Sequence, residues 1–251
     1  MKLAMLLALA ACQSGGGDDF GPGGGGGGPI GIGGNGSGDA GTADGGGGAS
    51  MPVSGRVCIL KDLRQPTLCD DTKDASRLVL TLGSGPAVAL SKLGAFSFSA
   101  QLGTELTWHV RGAVVDQVIP SVMAFGTDNT IPVIETGLYT DFLNSVGVEI
   151  PDQQGSIVVR VLSGGIAASG VAATTTLPAT NGTFYDGSTP LNWASTTTGS
   201  FGVVWFPGVA LANRPPTTAQ IGLSVLGGPP PVTTTATVEN LSITFVTRDL
   251  K

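Results

Sequence analysis

Few residues in this chain are able to do chemistry. It has one histidine, His109, and three cysteines, Cys12, Cys58 and Cys69, among 251 residues. A single histidine rules out the HExxH zinc signature, which needs two imidazoles on one helix face. A Ser-His-Asp triad would have to use His109 as its base. No Gly-x-Ser-x-Gly elbow occurs in the chain, and that elbow is what presents a serine nucleophile on an α/β scaffold. His109 also falls on the polar side of an alternating run, so it reads as a surface residue and no catalytic residue is assigned. Asp70-Asp71-Thr72-Lys73-Asp74 is acidic enough to consider calcium. It lacks the Asp-x-Asp-x-Asp-Gly spacing and closing glutamate that wrap a hard cation. A solvated loop is expected there, with no metal site and no cofactor. Tyr185 and Trp193 lie in a Thr-, Ser- and Asn-rich stretch, Gly182 to Thr197, that reads as loop. Rings on loops beside hydroxyl and amide groups suit stacking on a ligand such as a sugar, so both are candidate ligand contacts. Trp108 and Trp205 sit in apolar strand patterns and are expected in the core.

The elements that must position these residues are strands. Leu78 to Leu82, Ala95 to Ala100, Ile157 to Leu162, Ser200 to Phe206, Ala219 to Leu226 and Thr237 to Thr247 are short β-prone runs. Gly, Ser and Pro punctuate them. Glu105 to Arg111 alternates, with Leu106, Trp108 and Val110 on one side, which is the period of a half-buried strand. In the last run Leu241, Ile243 and Phe245 are expected to point inward. One helix is expected at Thr140 to Val146, with Thr140 as its cap and Phe142, Leu143 and Val146 as its apolar face. Many short strands with turn signals between them indicate β-sandwiches. The expected fold is all-β: two tandem Ig-like or transthyretin-like sandwiches, 51–135 and 153–251, joined by a linker with a short helix, 136–152.

Two segments hint at an internal repeat. Ala89-Leu90-Ser91-Lys92-Leu93-Gly94-Ala95-Phe96 parallels Ala194-Ser195-Thr196-Thr197-Thr198-Gly199-Ser200-Phe201. Each predicts a tight turn at the glycine and a strand whose Phe enters the core. Upstream, Val53-Ser54-Gly55-Arg56-Val57 and Gly155-Ser156-Ile157-Val158-Val159 would each open a domain. The Thr196-to-Phe201 turn, with Gly170-Val171 before it, resembles the carboxypeptidase regulatory-like domain, a transthyretin-like sandwich. The likeness covers 153–249 and extends to 52–135, where Ser91 replaces the family's Thr and a cysteine-containing loop interrupts the opening. It implies a non-catalytic accessory module.

The N-terminus carries an address. Met1-Lys2 precedes an apolar run from Leu3 to Ala11, far short of the roughly 20 residues that span a bilayer. It reads as a signal peptide, 1–11. Leu9-Ala10-Ala11-Cys12 resembles the lipobox of bacterial lipoproteins. That resemblance implies cleavage before Cys12 and lipidation of its thiol, and each buried CH2 of the acyl chains contributes about 0.8 kcal/mol to anchoring. Gln13 after the cysteine leans toward the outer membrane. Residues 12–50 are dominated by glycine and lack Lys and Arg. So little apolar surface does not offset ordering entropy, and a disordered tether spanning roughly 35 Å is expected.

Export also assigns the remaining thiols. In an oxidising compartment Cys58 and Cys69 are expected to form a disulfide, with about 2.8 kcal/mol from loop closure. The bridge would pin Lys61-Asp62-Leu63-Arg64-Gln65-Pro66, a polar loop otherwise prone to fray. Two thiols without neighbouring histidines do not complete a zinc tetrahedron. A net charge of -6 with only 12% charged residues argues against nucleic acid, which asks for clustered basic groups. The expected function is therefore a non-catalytic, lipid-anchored cell-envelope protein presenting β-sandwich modules for structural or protein-interaction roles. A carbohydrate-binding surface lipoprotein is the alternative. Its expected partners are the membrane, through Cys12, and an envelope protein or polysaccharide.

Overall fold

The computed structural model describes residues 50–101, 106–115, 117–126, 129–193, 195–211 and 216–251. The expected signal peptide, the lipidation site Cys12 and the glycine-rich tether up to residue 49 lie outside the described residues.

Strands dominate, with one α-helix among the described residues. The first half contains β1 (Ser50–Ile59), β2 (Leu78–Leu82), β3 (Ala95–Gln101), β4 (Thr107–Gly112), β5 (Val118–Ile119), β6 (Ser121–Ala124) and β7 (Thr130–Glu135). Helix α1 (Thr136–Val146) follows. The second half contains β8 (Gln154–Ser163), β9 (Ile166–Ala167), β10 (Val171–Thr175), β11 (Phe184–Tyr185), β12 (Val203–Ala210), β13 (Thr217–Val225), β14 (Val232–Val238) and β15 (Ile243–Asp249).

The two halves repeat one strand order. In the first, β1 lies between β3, antiparallel to it, and β7, parallel to it. In the second, β8 lies between β12, antiparallel, and β15, parallel. Opposite these triplets stand two antiparallel ones, β2-β4-β6 and β10-β13-β14. Each half is thus a sandwich, as the alternation predicts. Leu78, Leu80 and Leu82 of β2 are buried against Val53, Val57 and Ile59 of β1, with Phe96 and Trp108 between the layers. Ile157, Val159 and Val161 of β8 pack with Val204, Phe206, Ala219, Ile221 and Leu223 in the second core. The opening glycines also correspond. A Cβ on Gly55 would lie 2.4 Å from the Asn129 carbonyl oxygen, and one on Gly155 would lie 2.4 Å from that of Glu239. No side chain fits between backbones that close.

The sandwiches are fused rather than strung apart. β6 pairs parallel with β15, Ser121 opposite Ile243 and Met123 opposite Phe245. The two triplets thereby become one sheet in the order β11-β12-β8-β15-β6-β4-β2, with β9 beside β8. The described residues form one compact unit. The face of β12, β8 and β15 turned away from the second core is covered by α1 and the Cys58–Cys69 loop. There Val158, Trp205, Ile243 and Phe245 meet Leu60, Leu63, Tyr139 and Phe142. Burial on both faces explains why every residue from Val203 to Val209 is inaccessible, and why that run is apolar without alternation. The segment expected as a linker, 136–152, therefore helps to build a shared core.

Several elements differ from expectation in detail. The helix begins four residues earlier than expected, with Glu135 as N-cap. Thr140 is not the cap; its hydroxyl donates to the Thr136 carbonyl one turn back. The helix ends where Gly147 takes φ +66 and the Val148 amide donates to Leu143 O, a glycine-terminated Schellman closure. The expected strand Thr237 to Thr247 is two strands belonging to opposite layers, with a turn over Glu239–Ser242. Ile243 and Phe245 point inward as expected, whereas Leu241 occupies that turn and is exposed. In the repeat, Gly94 makes the predicted turn with φ +81 and Phe96 is buried. In the second copy the positive φ belongs to Gly202 rather than Gly199, whose Cβ position is closed by the Asp186 carbonyl oxygen at 2.5 Å.

Candidate ligand-binding cleft

The disulfide forms as expected: Cys58 at the end of β1 is bonded to Cys69, with their Cα atoms 4.9 Å apart. The bridge pins the polar loop it closes, as expected, and the loop's middle is buried rather than merely held. Leu63 is fully buried, and Asp62 and Arg64 are buried with it. The guanidinium grips the Asp62 carboxylate through Nε and Nη2, donates from Nη1 to the Gly187 carbonyl at 2.8 Å, and lies 4.7 Å above the Phe201 ring. A buried cation and anion satisfy each other here, which is the condition under which burial is tolerated. The loop acts as a plug tying the first sandwich to the second.

The two candidate ligand contacts are core residues. Tyr185 is 7% exposed and Trp193 2% exposed. The Tyr185 hydroxyl exchanges hydrogen bonds with the backbone of Ala173. Trp193 stacks edge-on against Trp205 and Phe142, and its indole N–H donates to Pro190 O. Their surroundings look like loop because few residues there are in strands, yet Asp186 organises the segment from within. Its carboxylate is fully buried and accepts the amides of Gly199, Phe201 and Val203. The sequence does not single out this aspartate, because a lone acid in a hydroxyl-rich stretch carries no signal of burial.

The acidic run is also structural. Thr72 donates twice to Asp70, holding that carboxyl below its usual range. Asp71 pairs with Arg56. Asp74 caps the 3-10 turn at Ala75–Arg77, and the bonds from Ser76 lower its pKa too. His109 stands on the outer face of β4 as the alternation predicts, but it is not alone. Its Nε2 lies 2.8 Å from the Glu239 carboxylate just beyond β14, so it links one sandwich to the other. That hydrogen bond, more than burial opposes it, raises the imidazole's pKa.

A concavity forms where the three parallel strands β6, β15 and β8 begin, with Ser121, Ile243 and Ser156 in register. Its volume is about 570 Å³, within the roughly 300–1,000 Å³ of small-molecule sites. Its walls come from the β4–β5 connection, helix α1 and the turn between β14 and β15. Val118, Ile119, Leu143 and Ile150 supply apolar surface, while Val114, Val115 and Leu241 stand exposed at the mouth. Leu241 holds φ +50, a left-handed backbone that costs a bulky side chain about 1–3 kcal/mol. Its amide donates to Gln154 O, and the neighbouring Asn240 side chain accepts from the Gln153 amide. On the floor the buried Tyr139 hydroxyl lies 2.6 Å from Ser156 Oγ. Burial pushes the phenol's pKa well above its ordinary value, so it remains a neutral hydrogen-bonding group.

Among the described residues lining the cleft, Arg111 alone is charged. Thr136 Oγ1, also in the lining, is a buried atom without a hydrogen-bond partner, and so is the Oε1 of the adjoining Gln117. Gln117 bridges the two: a Cβ on Gly112 would lie 3.0 Å from its Cβ, and its carbonyl accepts the Thr136 amide. Buried polar atoms are normally satisfied, so two orphans around Gly112, the residue after Arg111, set one end of the cleft apart. The arrangement has binding chemistry: apolar walls and a polar end. Nothing in the sequence pointed to it, because the β4–β5 connection, the helix and the β14–β15 turn that build it are separate segments of the chain. No family model matches this chain, and it matches no curated protein and no solved structure.

Proposed function

We propose that the chain is a non-catalytic, lipid-anchored protein of the bacterial cell envelope, held to the outer membrane through Cys12 and presenting a fused pair of β-sandwiches to an envelope partner. The observation that carries this reading is the Cys58–Cys69 bridge, since structural disulfides persist in oxidising compartments. It agrees with the export signal ending at Leu9-Ala10-Ala11-Cys12. The common strand order of the two halves supports a likeness to tandem carboxypeptidase regulatory-like modules. The bond between His109 and Glu239 serves as a contact between layers, which favours a binding role over acid–base chemistry. With Tyr185 and Trp193 in the core, no particular observation favours the polysaccharide reading.

The test is intact mass together with membrane fractionation, for the native chain and a Cys12→Ala variant expressed in a bacterial host. The expected result is a lipid-sized mass increment on the mature N-terminus, lost along with membrane partition in the variant. A soluble, unmodified mature form of the native chain would overturn the anchor.

A further inference from the structure

We infer that the cleft over the start of β6, β15 and β8 binds a single-chain amphiphile with an anionic head, of the long-chain carboxylate type. The cleft is complementary to such a molecule at both ends. The lining is mostly apolar, with Val118, Ile119, Leu143 and Ile150 inside and Val114 and Val115 exposed at the mouth. Two exposed valines side by side in the β4–β5 connection are surface that a hydrocarbon chain would cover. The head is specified by the other end. Arg111 offers a guanidinium, the group best shaped to hold a carboxylate through two parallel hydrogen bonds. At the same end of the cleft, Thr136 Oγ1 and Gln117 Oε1 are buried without partners. The threonine hydroxyl is a donor, and the amide presents its NH2 in place of its oxygen by a half-turn of the side chain. An anion placed there would meet one charged and two neutral donors, ending the orphan state of both buried groups. Leu241, kept in a left-handed turn at the rim, adds an apolar contact where the local backbone would favour glycine or asparagine.

This site does not depend on the anchor. The chain to be tested is therefore the full chain carrying Cys12→Ala, passed over a lipid-removing resin, so that no lipid of its own can fill the cleft. Its binding to a dansyl-labelled undecanoic acid is followed by fluorescence, with displacement by dodecanoate or by uncharged dodecanol. The expected result is saturable binding that both compounds displace, dodecanoate at least tenfold more effectively. Arg111→Gln should remove most of that tenfold preference while leaving dodecanol unchanged. The Arg111 side chain is exposed near the end of β4, so an unchanged melting temperature will show that the variant folds. Val115→Asp, on an 86% exposed position, should weaken both compounds together. Thr136→Val should leave the ligand-free melting temperature level or higher and reduce its rise with dodecanoate. Absence of saturable binding would overturn the site; equal loss of dodecanoate and dodecanol in Arg111→Gln would overturn the anionic head.

Discussion

The two sandwiches share a strand order yet are locked by different chemistry. The first closes its long loop covalently: Cys58 and Cys69 bring Leu63, Asp62 and Arg64 into the junction. The second holds an irregular stretch at a different place in its strand order, between β11 and β12, with one carboxylate, Asp186, accepting three backbone amides. Both devices solve the same problem. A connection that leaves the sheet has backbone groups and polar side chains to satisfy, and it must cover the outer face of β12, β8 and β15. The plug is covalent on one side and electrostatic on the other. What this teaches is that repeated topology does not require repeated loops, because only the strand pairings carry the architecture.

The largest effect is expected at the shared core. Trp205 is fully buried, 5.3 Å from Trp193 and 5.9 Å from Tyr139 by ring centroids. Trp205→Ala is expected to destabilise the protein by about 3–5 kcal/mol and to speed hydrogen exchange in both β1–β7 and β8–β15. Trp108→Ala should cost a similar amount but speed exchange mainly in β1–β7. If Trp205→Ala leaves the first half untouched, the halves are not energetically fused.

Asp186→Ala comes next. It strands three amide donors, and a loss on the order of 3 kcal/mol is expected in urea unfolding, with exchange accelerating between residues 186 and 203. Removing the disulfide by Cys58→Ala with Cys69→Ala should cost about 2.8 kcal/mol on loop-closure grounds and free Arg64 from Gly187. A double variant lacking both locks tests whether they cooperate; if the two costs simply add, the plugs act independently.

The smallest effect concerns the His109–Glu239 link. Because the folded imidazole's pKa lies above its ordinary value near 6.5, the folded state binds the proton more tightly than the unfolded chain does. The stabilisation is fully present below pH 6.5 and fades as pH rises through the raised folded value. Melting temperature should therefore show a shallow fall across that window, and His109→Gln should flatten it. An unchanged pH profile in that variant would remove His109 as a link between the sandwiches.

Strand positions were legible because period-2 alternation is a local property. Leu78 to Leu82 matches β2 residue for residue, and Ile157 to Leu162 lies inside β8. Thr237 to Thr247 misled because its apolar residues continue across a turn. Leu241 looks like a core position, and only the left-handed backbone at that residue moves it to the surface. Tyr185 and Trp193 misled for the opposite reason: hydroxyl-rich neighbours suggest solvent, while Asp186 beneath them folds the segment inward. The cleft had no signature at all, since Arg111, Thr136 and Asn240 meet only after three separate elements have docked.

By itself, the sequence determined the all-β class, the fold of each half as a sandwich and the pairing of Cys58 with Cys69, since each depends on local alternation or on the count of thiols. Only the tertiary structure decided that β6 joins β15 to fuse the halves, that Asp62, Arg64 and Asp186 are buried, and that an amphipathic cleft opens beside Arg111. These follow from which surfaces meet, and free energies of contact between distant segments leave no periodic trace along a chain.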